Sequence, residues 1–164
     1  MNLTLPEVVL RHELAHAYAM HALGVKIVEV CVIVKGDNPW DVRAYSIADK
    51  GIKGRAPTSD FYRATIVTAL AGPAYTRRIE SAYGDGEAMD MITVARATAE
   101  LALLGEAPDM AELAALVNRL LDMGAGVIES VATGLLPLSC ERCDLQVSGQ
   151  QLYFLFNNAE KEGV

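Results

Sequence analysis

Residues 11–16 read Arg-His-Glu-Leu-Ala-His, and this stretch constrains the fold more than any other. Its neighbours Ala15, Ala17, Ala19, Met20, Ala22 and Leu23 are helix formers. Pro6 and Glu7 suit a helical first turn, and Gly24 suits a C-terminal stop, so a helix is expected from about Pro6 to Leu23. On that helix His12 and His16 lie about 40° apart around the axis and one turn apart along it, so both imidazoles can face one ion. Glu13 lies about 60° from His16, within reach of an ion-bound water. Two neutral nitrogen ligands, a carboxylate base and an open coordination position are the parts of a zinc hydrolase. The bland alternative is a solvated helix face that happens to carry two histidines and a glutamate. His21 is nine residues from His12, about 180° around the axis, and is expected to face away as a structural or surface residue.

The rest of the chain reads as α+β and mainly helical, in one domain spanning residues 1–164. Val25–Val34 is rich in β-branched residues and reads as a buried strand, followed by a turn at Lys35–Pro39 and a second strand at Val42–Ile47. Asp49–Thr58, with two glycines and a proline, reads as a loop. Ser59 is the expected N-cap of a helix running from about Asp60 to Ser81, with a kink or break at Gly72-Pro73. The small residues around that pair suggest close approach to a neighbouring helix. A turn at Tyr83–Gly86 precedes helices over about Glu87–Leu104 and Ala107–Val131, the latter weakened by Gly124 and Gly126. A short helix over Val147–Ala159 closes the chain. The expected architecture is an H-E-x-x-H helix beside a two- or three-stranded sheet, followed by a helical bundle.

A third ligand must come from elsewhere in the chain. On the third predicted helix Asp90, Val94, Ala97 and Leu101 fall at steps of four, three and four, forming an otherwise apolar stripe, while Arg96 and Glu100 mark the polar side. An aspartate on a core-facing stripe is costly unless a cation or hydrogen bonds satisfy it. It could equally bond free backbone amides near the helix start. Glu80, Asp85 and Glu87 are rivals. Cys140-Glu141-Arg142-Cys143 is a lone C-x-x-C with only Cys31 besides, and reads as a turn with two reduced thiols. Tyr153, Phe154 and Phe156 form an aromatic cluster suited to core or interface packing.

The net charge of −7 leaves no basic stripe to neutralise phosphates, which argues against a nucleic-acid partner. No apolar run of 18 residues indicates a membrane segment, and the N-terminal residues do not read as a signal peptide. With three cysteines, this points to a reducing, cytoplasmic setting.

Taken in order, the chain has H-E-x-x-H, a strand and an edge strand, a small-residue helix at Leu70-Ala71-Gly72, then Gly86-Glu87-Ala88-Met89-Asp90 opening a helix with Ala95-Arg96-Ala97-Thr98-Ala99. This order resembles the peptidase domain of the FtsH-type, membrane-anchored, ATP-dependent zinc proteases over about Glu7–Leu104. The resemblance implies zinc held by His12, His16 and Asp90, with Glu13 as base. Asp90 follows His16 by 74 residues, a separation similar to the family's. It also implies that Arg43, Ala44, Tyr45 and Ser46 form the edge strand on which an extended polypeptide substrate is laid. The chain departs from the family at Ala15, where the family has glycine, and at Tyr75-Thr76-Arg77-Arg78, where it has paired glutamates. No phosphate-binding glycine loop with its lysine is present, so coupling to ATP would need a separate ATPase partner, and assembly of copies is an alternative partnership. The expected activity is zinc-dependent hydrolysis of peptide bonds in unfolded or flexible polypeptides. The alternatives are a catalytically silent peptidase-like binding or regulatory module, and a small repressor-cleaving type of zinc peptidase with a glutamate as third ligand.

Overall fold

The computed structural model describes residues 3–35, 42–49, 57–79, 84–136 and 143–163. Five helices and three strands follow in the order α1 (Leu5–Ala22), β1 (Ile27–Val34), β2 (Val42–Ala48), α2 (Ser59–Arg78), α3 (Gly84–Leu103), α4 (Met110–Leu135), β3 (Cys143–Ser148) and α5 (Gly149–Lys161). The fold is mainly helical with one small antiparallel sheet, as the sequence leads one to expect.

α1 is the central element. Glu7 reaches back to accept from the Thr4 backbone N–H at 2.7 Å, which satisfies an amide the helix leaves unpaired. At the other end Gly24 adopts φ +68°, the Val25 N–H donates to Met20 O at 2.8 Å and the Gly24 N–H to His21 O at 3.0 Å. This paired closure needs a left-handed residue, which glycine supplies without strain. Between the caps the helix is buried all round, from Val9 and Leu10 through Leu14, Ala15, Ala17 and Ala19. A helix buried on every side is the centre of a core, and α2, α4, α5 and the sheet all pack on this one.

The strand order is β2-β1-β3, with both pairings antiparallel. Val30 and Val32 of β1 point into the core with Val147 of β3, while Cys31 and its neighbours in register, Tyr45 and Gln146, form the other face. β2 is therefore an edge strand among the described residues. The third strand corrects the expected final helix, which begins at Gly149 and not Val147. Leu145 and Val147 alternate with Asp144 and Gln146, a strand period. Ser148 then caps α5, its hydroxyl oxygen accepting from the Gln151 N–H at 3.3 Å.

Three further expectations shift. The cap of α2 is Thr58, whose Oγ1 accepts from the Phe61 N–H, and Ser59 is already helical. α2 runs through Gly72-Pro73 without a break and ends at Arg78. α3 begins at Gly84, inside the expected turn. α4 passes through Gly124 because a Cβ there would lie 2.0 Å from Cε1 of the Tyr18 ring on α1, so this glycine exists for close packing. Most of Asp49–Thr58 and of Lys35–Pro39 lies outside the described residues, as do Cys140 and the side chain of Cys143. No helix among the described residues is long and apolar enough to cross a membrane.

Candidate metal centre

His12 and His16 sit at the middle of the buried helix, 1% and 6% exposed, and α3 brings Asp90 to them across α2. His12 Nε2 lies 3.0 Å from Asp90 Oδ2, His16 Nε2 3.2 Å from Asp90 Oδ1, and the two Nε2 atoms 3.1 Å from each other. The rings stand at 85° to one another, so both nitrogens point into one space. These three residues form a group that could hold a metal ion.

The outer ring nitrogens show what that space requires. His16 Nδ1 is 2.6 Å from the Thr68 carbonyl oxygen, which can only accept, so Nδ1 carries a proton. The Thr76 hydroxyl donates to Gly72 O at 3.0 Å, which leaves its oxygen to accept from His12 Nδ1–H at 2.9 Å. With both Nδ1 atoms protonated, two Nε2 lone pairs and a carboxylate converge. Such a cluster of acceptors calls for a cation.

Without a metal, a proton fills that role. Burial pushes His16 down, but the hydrogen bond and charge of Asp90, then the charge of Glu13 and the bond to Thr68 O, more than reverse it and raise His16 to about 9. Burial likewise pushes Asp90 up, and its contacts with the His12 and His16 rings outweigh it, so Asp90 is held below the usual carboxylate range.

Room for the two imidazole rings is built into α2. A Cβ at Gly72 would lie 2.4 Å from His16 Nε2 and 2.7 Å from His12 Nε2. Thr68, Gly72 and Thr76 recur every four residues, so one stripe of α2 supplies both histidine partners and the gap between them. Sequence reasoning missed this stripe, although its period was legible.

Glu13 lies outside the ligand group. It is 5% exposed, and its Oε2 accepts from Ser46 Oγ at 2.6 Å, while its backbone carbonyl lies 3.0 Å from the same hydroxyl. Ser46 is thus tied to the glutamate, and its side chain is turned inward. The Tyr45 hydroxyl donates to Glu29 Oε1 at 3.1 Å on the other face of the sheet, and the Arg43 guanidinium lies 5.5 Å over the Tyr45 ring. Among Arg43, Ala44, Tyr45 and Ser46, then, only Ser46 places its side chain by the glutamate. A pocket of about 440 Å³ adjoins this edge, lined among others by Ser46, Ile47, Phe61, Thr68 and Ala97.

Among the rivals for the third ligand, Glu87 faces Arg77 at 3.9 Å. Glu80 and the side chain of Asp85 lie outside the described residues. Because α3 starts at Gly84, Asp90 is past the first turn, where free amides would have engaged it. His21 lies away from the group, 3.5 Å from Glu160 Oε1 and packed among Tyr18, Tyr153 and Phe156. A second, partly buried network also went unread. The Arg11 Nε–H donates to Glu129 Oε2 at 2.9 Å and the Tyr75 hydroxyl to Glu129 Oε1 at 2.6 Å, which joins α1, α2 and α4 behind the site. No family model matches the chain, and no curated protein matches it in sequence.

Proposed function

We propose that the protein is a zinc-dependent peptidase acting on extended polypeptide, with His12, His16 and Asp90 as ligands and Glu13 as base. The observation that carries the reading is the convergence of two Nδ1-protonated histidines and a carboxylate on one space, with a buried glutamate beside it. The geometry leaves room for zinc: the two Nε2 atoms lie 3.1 Å apart, close to the roughly 3.3 Å that tetrahedral bonds of 2.0–2.1 Å impose, and His12 and His16 each face a different Asp90 oxygen, at 3.0 and 3.2 Å. Asp90 as third ligand favours the FtsH-type pattern over the repressor-cleaving type with its glutamate.

A bound zinc ion supplies Lewis acidity and acidifies a coordinated water to near neutrality. Glu13 does the proton work. Ser46 occupies Oε2, leaving Oε1 to take the proton of the attacking water and return it to the leaving amine. β2, an edge strand among the described residues, would offer its outer backbone groups to an extended substrate segment, which would add as a fourth strand. Ser46 links that strand to the base, so a segment paired along β2 runs past Glu13. The largely apolar pocket next to it suits a substrate side chain.

Glu13→Gln tests this reading. The variant should keep its metal and its fold and lose cleavage of an unfolded casein-like substrate. Cleavage at the parental rate would remove Glu13 from the mechanism. A parent that binds zinc but cleaves no unfolded protein would leave a silent binding module.

A further inference from the structure

We propose that Ser46 is the positioning residue of Glu13, and that a polypeptide pairing along β2 sets the base by holding that residue. The inference rests on the peptidase reading and adds a demand on the substrate, which must be long enough to lie along β2. Glu13 is 5% exposed, so its carboxylate has lost most of its water. An ionised carboxylate offers about four acceptor sites. Among the described residues the Ser46 hydroxyl is the only group that donates to this one, at 2.6 Å, the length of a charge-assisted bond. The same hydroxyl lies 3.0 Å from the Glu13 backbone oxygen, so it sits between the two ends of the residue it serves. One bond thus decides which carboxylate oxygen is occupied and which can face a water.

The strand that carries this hydroxyl is the one a substrate would pair with. Ala44, Ser46 and Ala48 alternate along β2, and both alanines pack against the core. Such short side chains let the strand lie close on α1, with Ser46 as the polar group between them. The place of the hydroxyl therefore follows the place of the strand. Among the described residues β2 is paired on one side only, by β1. A strand held on one side is looser than a central one, and an added substrate strand completes its ladder. Binding energy gathered along β2, away from the scissile bond, then goes into orienting Glu13, which raises kcat. A peptide too short to pair along β2 leaves Ser46, and so the base, loosely held.

Two peptides sharing one cleavage sequence test this, one of about three residues and one of about ten, enough to lie along the seven residues of β2. The zinc-loaded parent should turn over the long one with a kcat at least about tenfold higher. Ser46→Ala continues the alanines beside it. It should lower kcat on the long peptide by about 10–100-fold with KM within about twofold, and change the short one little. Ser46→Thr keeps the hydroxyl and should restore most of the rate. In the metal-free protein the carbon-13 carboxyl resonance of Glu13, assigned by its loss in Glu13→Gln, should move in Ser46→Ala and return in Ser46→Thr. A parent that cleaves neither peptide overturns the peptidase reading and this inference with it. A parent that cleaves both equally well, a Ser46→Ala variant with the parental kcat on the long peptide, or a resonance unmoved in that variant overturns this inference alone.

Discussion

Replacing Gly72 by alanine adds one methyl group in the middle of α2 and should abolish metal binding. In an ordinary helix interior this change stabilises by about 1 kcal/mol. Here the new Cβ would lie 2.4 Å from His16 Nε2 and 2.7 Å from His12 Nε2, where ordinary contacts begin at 3.4 Å. The two rings must therefore retreat by about 1 Å and 0.7 Å. Neither is free to do so, since Thr68 O and Thr76 Oγ1 hold their outer nitrogens. Metal–ligand distances tolerate about 0.2 Å, so the displaced nitrogens no longer fit one ion. The loss should reach at least ~100-fold in affinity, the upper range for disturbing the residues that orient metal ligands. Overpacking costs about 1–3 kcal/mol, partly offset by the helix gain, so the metal-free variant should stay within about 2 kcal/mol of the parent. Competition against a chelating dye gives the affinity, and urea unfolding of the metal-free proteins gives the stability. An alanine variant that binds zinc as the parent does would refute the cradle and the ligand assignment together.

Asp90→Ala removes the carboxylate and should leave zinc substoichiometric after dialysis, with full occupancy by elemental analysis counting against Asp90 as ligand. Thr76→Val keeps the shape but withdraws the acceptor of His12 Nδ1–H, and a titration should find affinity down by about 10–100-fold. An unchanged constant would mean that the bond to Thr76 does not orient the ring. In the metal-free protein the pKa of His16 is raised to about 9, so at neutral pH an ion must displace its proton. Affinity should therefore rise with pH by about tenfold per unit from near 7 and level off above about 9, with a proton released on binding. A pH-independent affinity measured in weakly buffered solution would contradict this.

The parts of the site carried by single helices were legible in the sequence. Four-residue spacing on a helix fixes where His12 and His16 point whatever surrounds them, and the apolar company of Asp90 marked it as inward-facing. What escaped is set by contacts between elements. Thr68, Gly72 and Thr76 form a visible stripe, but nothing local says that it faces two imidazoles. Ser46 read as part of a substrate strand because its inward turn toward Glu13 depends on how β2 lies on α1. Gly124 read as a weak point, since the Tyr18 ring that requires it comes from more than a hundred positions away. The end of β3, Val147 and Ser148, read as the start of the final helix and the rest as no element, because its alternation spans only six residues and Ser148 already caps α5.

The three ligands also differ in how firmly each is anchored. His12 and His16 belong to the most enclosed helix of the protein, whose exposure to solvent requires the whole core to come apart. Asp90 belongs to a helix resting chiefly on one neighbour, the sort of element that lifts away at far lower free energy than global unfolding. A bound ion would thus be clasped between a fixed jaw and a hinged one. Its residence time would be set by the lifting of α3, and a chelator would strip it without the domain ever unfolding. In hydrogen exchange the loaded protein should gain protection along α3, while the amides of α1, already slow, change little.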